Sequence, residues 1–273
     1  MCMSHRNGHR RFAVLSAPRS GSTWLIDLLR RSTEATVHTE LFIPRRKPRS
    51  ERRMTAKTAA YLDANLRGLP LFCEVRRKGM AIRPFRTFGY LRRVYRSPDP
   101  TGFKLMYPNL LHFPEIWLYL STVRCPVLHL VRTNHLDVYL SGQFRFATDT
   151  AHALVGEPKT EVPCIELDPE DLLRSMRRSK RNIRIARLLL KVTCVPHLEL
   201  HYERLVESGE PLEQACRFLG LRVHGTSADS PLRKLVTGSH AQLIANYEAI
   251  RCALQGTEFE DLLGKPVPAS EQG

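Results

Sequence analysis

The sequence predicts an α/β fold with a central, mostly parallel sheet flanked by helices, and three features predict it. Apolar runs of strand length alternate with amphipathic stretches of helical spacing along the chain. A Pro/Gly/Ser loop joins the first such run to the first helix. Pro126 to Val131 (PVLHLV) is apolar almost throughout, the character of a strand buried on both faces of a parallel sheet.

Taken in order, Arg11 to Ser16 (RFAVLS) reads as a strand, and Trp24, Leu25, Leu28 and Leu29 give the next stretch a helical apolar face. Val37 to Ile43 (VHTELFI) is a second strand-like run close behind that helix, which makes a parallel βαβ unit. From Pro44 to Pro100 the pattern is irregular and begins with a basic run, Arg45, Arg46, Lys47, Arg49, Arg52 and Arg53. The expectation is a single domain over residues 1–273, with 44–100 as a lid or acceptor-side insertion. Gly102 to Met106 (GFKLM) resumes regular structure, Asn134 caps a helix through Leu136 and Leu140, and a long arginine-rich helix fits Pro169 to Leu190. His197 to His201 (HLELH) is a further strand; Leu212 to Leu219, closed by Gly220, and His240 to Leu254 are the last helices.

The 273 residues, 42% hydrophobic and 25% charged, suffice for one large core. A net charge of +15, with a pI near 9.9, favours anionic partners without choosing among them. The seven cysteines are scattered, with no Cys-x-x-Cys pair, so neither a zinc site nor a disulfide framework is expected, and they read as reduced, mostly buried thiols. No apolar stretch follows the charged first ten residues and no later run approaches bilayer length, so a cytoplasmic protein is expected.

A glycine-containing loop between a buried strand and a helix brings backbone N–H groups and the positive helix end around one point, an arrangement that binds phosphate. Ser20-Gly21-Ser22-Thr23 stands at that position. Gly21 permits close backbone approach, Ser22 and Thr23 add hydroxyl donors, and Arg19 adds a forked cation suited to oxyanions. No lysine precedes Ser22-Thr23, so the loop is not a Walker A sequence.

The string Ala17-Pro18-Arg19-Ser20-Gly21-Ser22-Thr23-Trp24-Leu25 resembles the 5'-phosphosulfate loop of the sulfotransferases that use 3'-phosphoadenosine 5'-phosphosulfate (PAPS). Its arginine form is similar to that of bacterial carbohydrate sulfotransferases of the trehalose and nodulation-factor type. The resemblance implies a P-loop-like three-layer fold and places Arg19, Ser20, Gly21, Ser22, Thr23 and Trp24 around the nucleotide. Leu130 to Ser141 (LVRTNHLDVYLS) resembles the family's 3'-phosphate site, in which Arg132, leaving a core strand, and Ser141, on the following helix, grip the phosphate. One residue more separates this pair than in the family's common form, so Gln143 or Tyr139 are alternatives to Ser141. Leu200 to Val206 (LHYERLV) resembles the family's Tyr-Glu-x-Leu segment, and Leu212 to Leu221 the helix after it; both read as structural. Pro231-Leu232-Arg233-Lys234, ahead of Ser239 to Leu254, is similar to the basic loop and closing helix over the nucleotide, with Arg233 and Lys234 as second phosphate donors or as solvated cations.

The resemblance implies transfer of a sulfuryl group from PAPS to a hydroxyl of a carbohydrate, glycolipid or other small molecule, leaving adenosine 3',5'-bisphosphate, with no metal. Such transfer needs an aligned acceptor oxygen, stabilisation of charge on the leaving group, and a base. Glu40 is the expected base, since trehalose-type and heparan-type members carry a glutamate before an aromatic residue at this point. His38 competes, because it and Glu40 are separated by one residue on a strand, so both point to the same face and either reaches the cleft. The alternative for Glu40 is a salt bridge to a nearby arginine. Lys104 orients the acceptor or stabilises the bridging oxygen, or else is an edge-strand lysine at the surface. Two rivals remain: a P-loop nucleotide or small-molecule kinase, against which the missing Gly-Lys-Ser/Thr counts, and a non-enzymatic polyanion- or nucleic-acid-binding protein, which leaves both phosphate motifs as accidents. No specific nucleic acid is expected. The arginine-rich helix reads as a solvated face, with an acidic glycan or a peripheral membrane contact as the alternative.

Overall fold

The apolar run Arg11–Ser16 becomes the central strand of a five-stranded, all-parallel sheet. The computed structural model describes residues 11–45, 72–75, 82–148, 153–154, 164–224, 232–233 and 239–263. Along them run β1 (Arg11–Ser16), α1 (Ser22–Ser32), β2 (Thr36–Glu40), β3 (Phe42–Arg45), β4 (Phe72–Val75), α2 (Pro84–Val94), β5 (Thr101–Met106), α3 (Tyr107–His112), α4 (Pro114–Thr122) and β6 (Val127–Val131). Next come α5 (His135–Thr148), β7 (Ala153–Leu154), α6 (Pro169–Val192), β8 (His197–His201), α7 (Tyr202–Glu207), α8 (Glu210–Leu219), β9 (Leu232–Arg233), α9 (His240–Leu243) and α10 (Tyr247–Leu254). Two compact units are present: Met1–Val131 with Ala186–Asp229, which holds the parallel sheet, and Arg132–Ile185 with Ser230–Gly273.

The sheet order is β2-β5-β1-β6-β8, so β5 inserts between the two strands that flank α1. Directly paired residues of a parallel sheet point to the same face, and alternation then sorts the core into two layers. On one face Phe12, Val14, Leu128 and Leu200 pack with Leu25 and Leu29 of α1 and Leu219 of α8. Each such fully buried side chain contributes roughly 1.5–3 kcal/mol of transfer free energy. Gly102 pairs with Phe12, and a Cβ at Gly102 would lie 2.3 Å from the Phe12 ring, so this strand position has room only for hydrogen.

The opposite face carries Phe103, Leu105, Leu15 and His129. Phe103 meets an aromatic cluster of Phe42, Phe72, Tyr90 and Phe113, with ring centroids 5.1–5.9 Å apart. Within 44–100, Phe72 of β4 and the inner side of α2 are therefore built into the core; residues 46–71 and 76–81 lie outside the described residues. Thr87 of α2 donates to the buried Glu115 of α4 at 3.1 Å.

A polar chain crosses this second face. The Nδ1 of His129 lies 3.1 Å from Glu199 Oε2; a carboxylate only accepts, so Nδ1 carries the proton and Nε2 faces the Tyr107 hydroxyl at 2.7 Å. Arg187 donates to both oxygens of Glu199, at 2.9 and 2.7 Å. The hydrogen bond from His129, with that from Arg187, holds the Glu199 carboxyl well below the usual range. Burial pushes the Tyr107 phenol up.

In the second unit, Leu136, Leu140 and Phe144 of α5 pack with Leu172 and Met176 of α6 and with Ile250 and Leu254 of α10. Asn134 accepts from the Asp137 N–H at 3.0 Å, the cap expected at that position. Leu172, Met176 and Ile183 recur at helical spacing along the buried side of α6, while Arg174, Arg177, Arg178, Arg181 and Arg184 are exposed.

Three sequence expectations need correction. The run Val37 to Ile43 is two strands: β2 ends at Glu40, and Phe42 starts β3, which pairs with β4 outside the main sheet because Phe42 turns into the aromatic cluster. The helix from His240 to Leu254 breaks at 244–246, where Ala245 N donates to Ile165 O and Asn246 bonds both the N–H and the carbonyl of Leu167. The thiols are not mostly buried: among the described residues Cys125 and Cys216 are buried, at positions that raise their pKa to about 12 and about 11, whereas Cys164, Cys194 and Cys252 are exposed. Cys194 sits at φ +49° in the turn after α6, and Cys252 on the outer side of α10.

Candidate functional site

The chain leaves β1 for β2 on one side and β6 for β8 on the other, so the carboxyl ends of β1 and β6 form the switch point at which parallel sheets bind ligands. The loop from Ala17 to Gly21 occupies the β1 end. Arg19 and Gly21 both adopt the left-handed conformation, at φ +64° and +84°, a backbone turn that gathers N–H groups into a concavity. The buried Ser20 hydroxyl donates to Ala17 O at 2.7 Å and ties the loop across itself. No side chain caps α1 and no acidic residue stands in its first turn, so the positive end of an eleven-residue helix faces the loop. Ser22 is buried and Thr23 half-buried at the start of that helix.

Tyr202 fixes this loop from below. A Cβ on Gly21 would fall 2.3 Å from two carbons of the Tyr202 ring, and that ring meets Trp24 edge-to-face with centroids 6.1 Å apart. The sequence marks Trp24 as nucleotide-facing and Tyr202 as structural only; in the fold they are one packed pair against the loop. The signal for Tyr202 was its place directly after the core strand β8.

Glu40 and Lys104 form the second part. β2 and β5 run in register until His38 faces Phe103; the register then shifts, and Glu40 faces Lys104. The extra residue, Thr39, is a bulge that re-aims the side chain after it. Phe103 and Lys104 point to opposite faces, so Glu40 and His38 do as well, and the expectation that both reach one cleft fails for this reason. His38 is 3% exposed on the aromatic side. Lys104 pairs with Val14, on the face covered by α1, two residues short of the end of β1, or about 7 Å along the strand. It belongs to an interior strand and its side chain is 9% exposed, not an edge lysine. Its Nζ lies 3.4 Å from Glu40 Oε1, so among the described residues the ion-pair partner of Glu40 is Lys104.

The remaining candidates lie in the second unit. Arg132 donates from Nη2 to Asp137 Oδ2 at 2.7 Å, and Asp137 Oδ1 lies 3.0 Å from His240 Nε2. Burial works against ionisation of Asp137, but the hydrogen bonds and charges of His240 and Arg132 outweigh it and hold the carboxyl below its ordinary value. Ser141 is buried one helical turn beyond Asp137, while Tyr139 and Gln143 on the same helix are half-buried. Arg233 is in β9, where its backbone pairs with Ala153; Lys234 lies outside the described residues. Among the described residues no group of three His, Cys, Asp or Glu side chains is arranged to hold a metal ion, and no helix is long and apolar enough to cross a membrane.

No family model matches the chain, and no curated protein matches it. Among solved structures, the fold is similar to the sulfotransferase from Alicyclobacillus acidocaldarius, with a TM-score of 0.43 and 13% identity over 94% of this chain and 96% of that one. It is also similar to the sulfotransferase domain from the curacin biosynthetic pathway, with a TM-score of 0.42 and 17% identity over 94% of this chain and 90% of that one.

Proposed function

We propose that this protein is a PAPS-dependent sulfotransferase, of the bacterial carbohydrate type, that acts on a hydroxyl of a carbohydrate, glycolipid or other small molecule. The observation that carries the reading is the pairing of an uncapped, acid-free helix start behind two left-handed loop residues with a Glu40–Lys104 ion pair on the same sheet face. The loop suits a tetrahedral anion, and the pair beside it supplies a base and a cation.

In the proposed reaction the acceptor oxygen bonds to sulfur as the bond from sulfur to the bridging phosphate oxygen breaks. The acceptor proton passes to Glu40, and the electron pair of the broken bond stays on the departing 5'-phosphate. The loop N–H groups, Arg19, Ser22 and Thr23 hold that phosphate, and Lys104 steadies the bridging oxygen. Arg132 and Ser141 take the 3'-phosphate, with Arg233 and Lys234 as further donors. No metal has a role in this scheme.

Thermal stabilisation by adenosine 3',5'-bisphosphate, compared with AMP, tests the reading. A larger shift with the bisphosphate, and magnesium-independent transfer from PAPS, are the expected results. Equal shifts remove the assignment of Arg132, and ATP hydrolysis without sulfuryl transfer favours a kinase.

A further inference from the structure

Arg132 does not stand beside a simple counterion. Its partner Asp137 would by itself cancel the guanidinium charge and repel a dianionic phosphate, yet Asp137 is held on its other oxygen by His240, from a segment 103 residues away. The Nε2 of His240 faces the Asp137 carboxylate at 3.0 Å and its Nδ1 faces the Leu263 carbonyl at 3.4 Å. Both neighbours only accept, and the form of the ring that donates to both at once is the doubly protonated one. His240 is 4% exposed, and the side chains of Arg132 and Asp137 are 14% and 17% exposed, so the three charges interact with little solvent between them. Arg132 and His240 thus share the one carboxylate of Asp137, each on its own oxygen.

We propose that His240 is a positioning and specificity-determining residue, which neutralises Asp137 so that Arg132 keeps an effective positive charge for a phosphate monoester. Asp137 sets the direction of the guanidinium; His240 removes the electrostatic penalty of having Asp137 there. The inference rests on the reading of Arg132 as the 3'-phosphate residue. It adds a residue that acts through Asp137.

The test uses the whole chain and two probes, adenosine 3',5'-bisphosphate and AMP, with affinities measured by calorimetry. His240→Gln keeps an amide N–H toward Asp137 and loses the charge. It is expected to weaken the bisphosphate roughly tenfold, the scale of one charge-assisted hydrogen bond, with AMP binding unchanged. Adding Asp137→Asn, which removes the carboxylate that His240 offsets, restores most of the loss. Unfolding midpoints of each variant identify any that fail to fold, and for these His240→Lys, which keeps a cation, must recover the preference. The proposal is overturned if His240→Gln leaves both affinities unchanged, lowers both alike, or is not relieved by Asp137→Asn. Arg132→Gln separates this from the underlying reading: if it leaves the preference for the bisphosphate intact, the assignment of Arg132 falls and the role of His240 with it.

Discussion

Lys104 Nζ lies 3.4 Å from Glu40 Oε1 because a one-residue bulge at Thr39 shifts β2 against β5. The bulge turns Glu40 away from the aromatic side occupied by His38 and onto the face that holds α1 and its loop. For the proposed reaction this makes Glu40 the base, and Glu40→Gln is expected to lower single-turnover sulfuryl transfer by about 10²–10⁴-fold, with nucleotide affinity retained. His38→Gln, its side chain buried on the other face, should leave the rate of correctly folded protein near wild type. A loss with His38→Gln and none with Glu40→Gln would reverse the assignment.

Gly21 carries two constraints at once, a φ of +84° and contact with the Tyr202 ring. Gly21→Ala is expected to cost about 1–3 kcal/mol in urea unfolding, the scale of a strained backbone position, and to weaken binding of inorganic phosphate. Tyr202→Ala in the same chain relieves the clash and leaves the left-handed strain, so stability should recover only in part. Full recovery would mean that the contact alone mattered.

The Glu199 carboxyl titrates below its unfolded value because His129 and Arg187 donate to it. A depressed acid stabilises the fold above the unfolded pKa of about 4.3, and that contribution fades as pH falls through the folded value. Glu199→Gln should therefore cost about 1–3 kcal/mol at pH 7, and the gap from wild type should narrow on acidification below about pH 4. A gap equal at neutral and acid pH would show that the interaction is not ionic.

Asn246 holds the break between α9 and α10 by accepting from Leu167 N at 3.0 Å and donating to Leu167 O at 2.8 Å. Asn246→Ala removes both bonds at a half-buried site and is expected to cost about 1–3 kcal/mol. Amide exchange at Leu167 and Ala245 should accelerate first, since these N–H groups depend on that pairing. Uniform exchange across the unit would place the effect elsewhere.

The elements that the sequence announces are those whose local pattern is complete. β1 with its loop and α1 can be read directly, as can β6 and β8, because burial, turn residues and the helical stripe all lie within one short window. The strand from Val37 hides a change of sheet at Leu41, since Leu41 and Phe42 are apolar whichever partner they take. The bulge at Thr39 leaves no mark in composition, and without it the facing of Glu40 and His38 is misjudged. α4 was silent because PEIWLYLST is apolar around most of its circumference and has no polar face to give a period. The roles of Tyr202 and His240 depend on distant packing, which no window of sequence contains.

The unit that holds Arg132 is assembled from two stretches of chain, with β8, α7 and α8 of the other unit made between them. During synthesis Asp137 leaves the ribosome long before His240 exists, and Leu167 waits 79 residues for Asn246. Contacts of such high contact order form late and slowly. Until then Asp137 faces Arg132 without the imidazole that holds its other oxygen. Maturation of the proposed nucleotide site thus waits for the His240 segment to dock, and lesions near His240 should first show as a slower return of activity on refolding from denaturant.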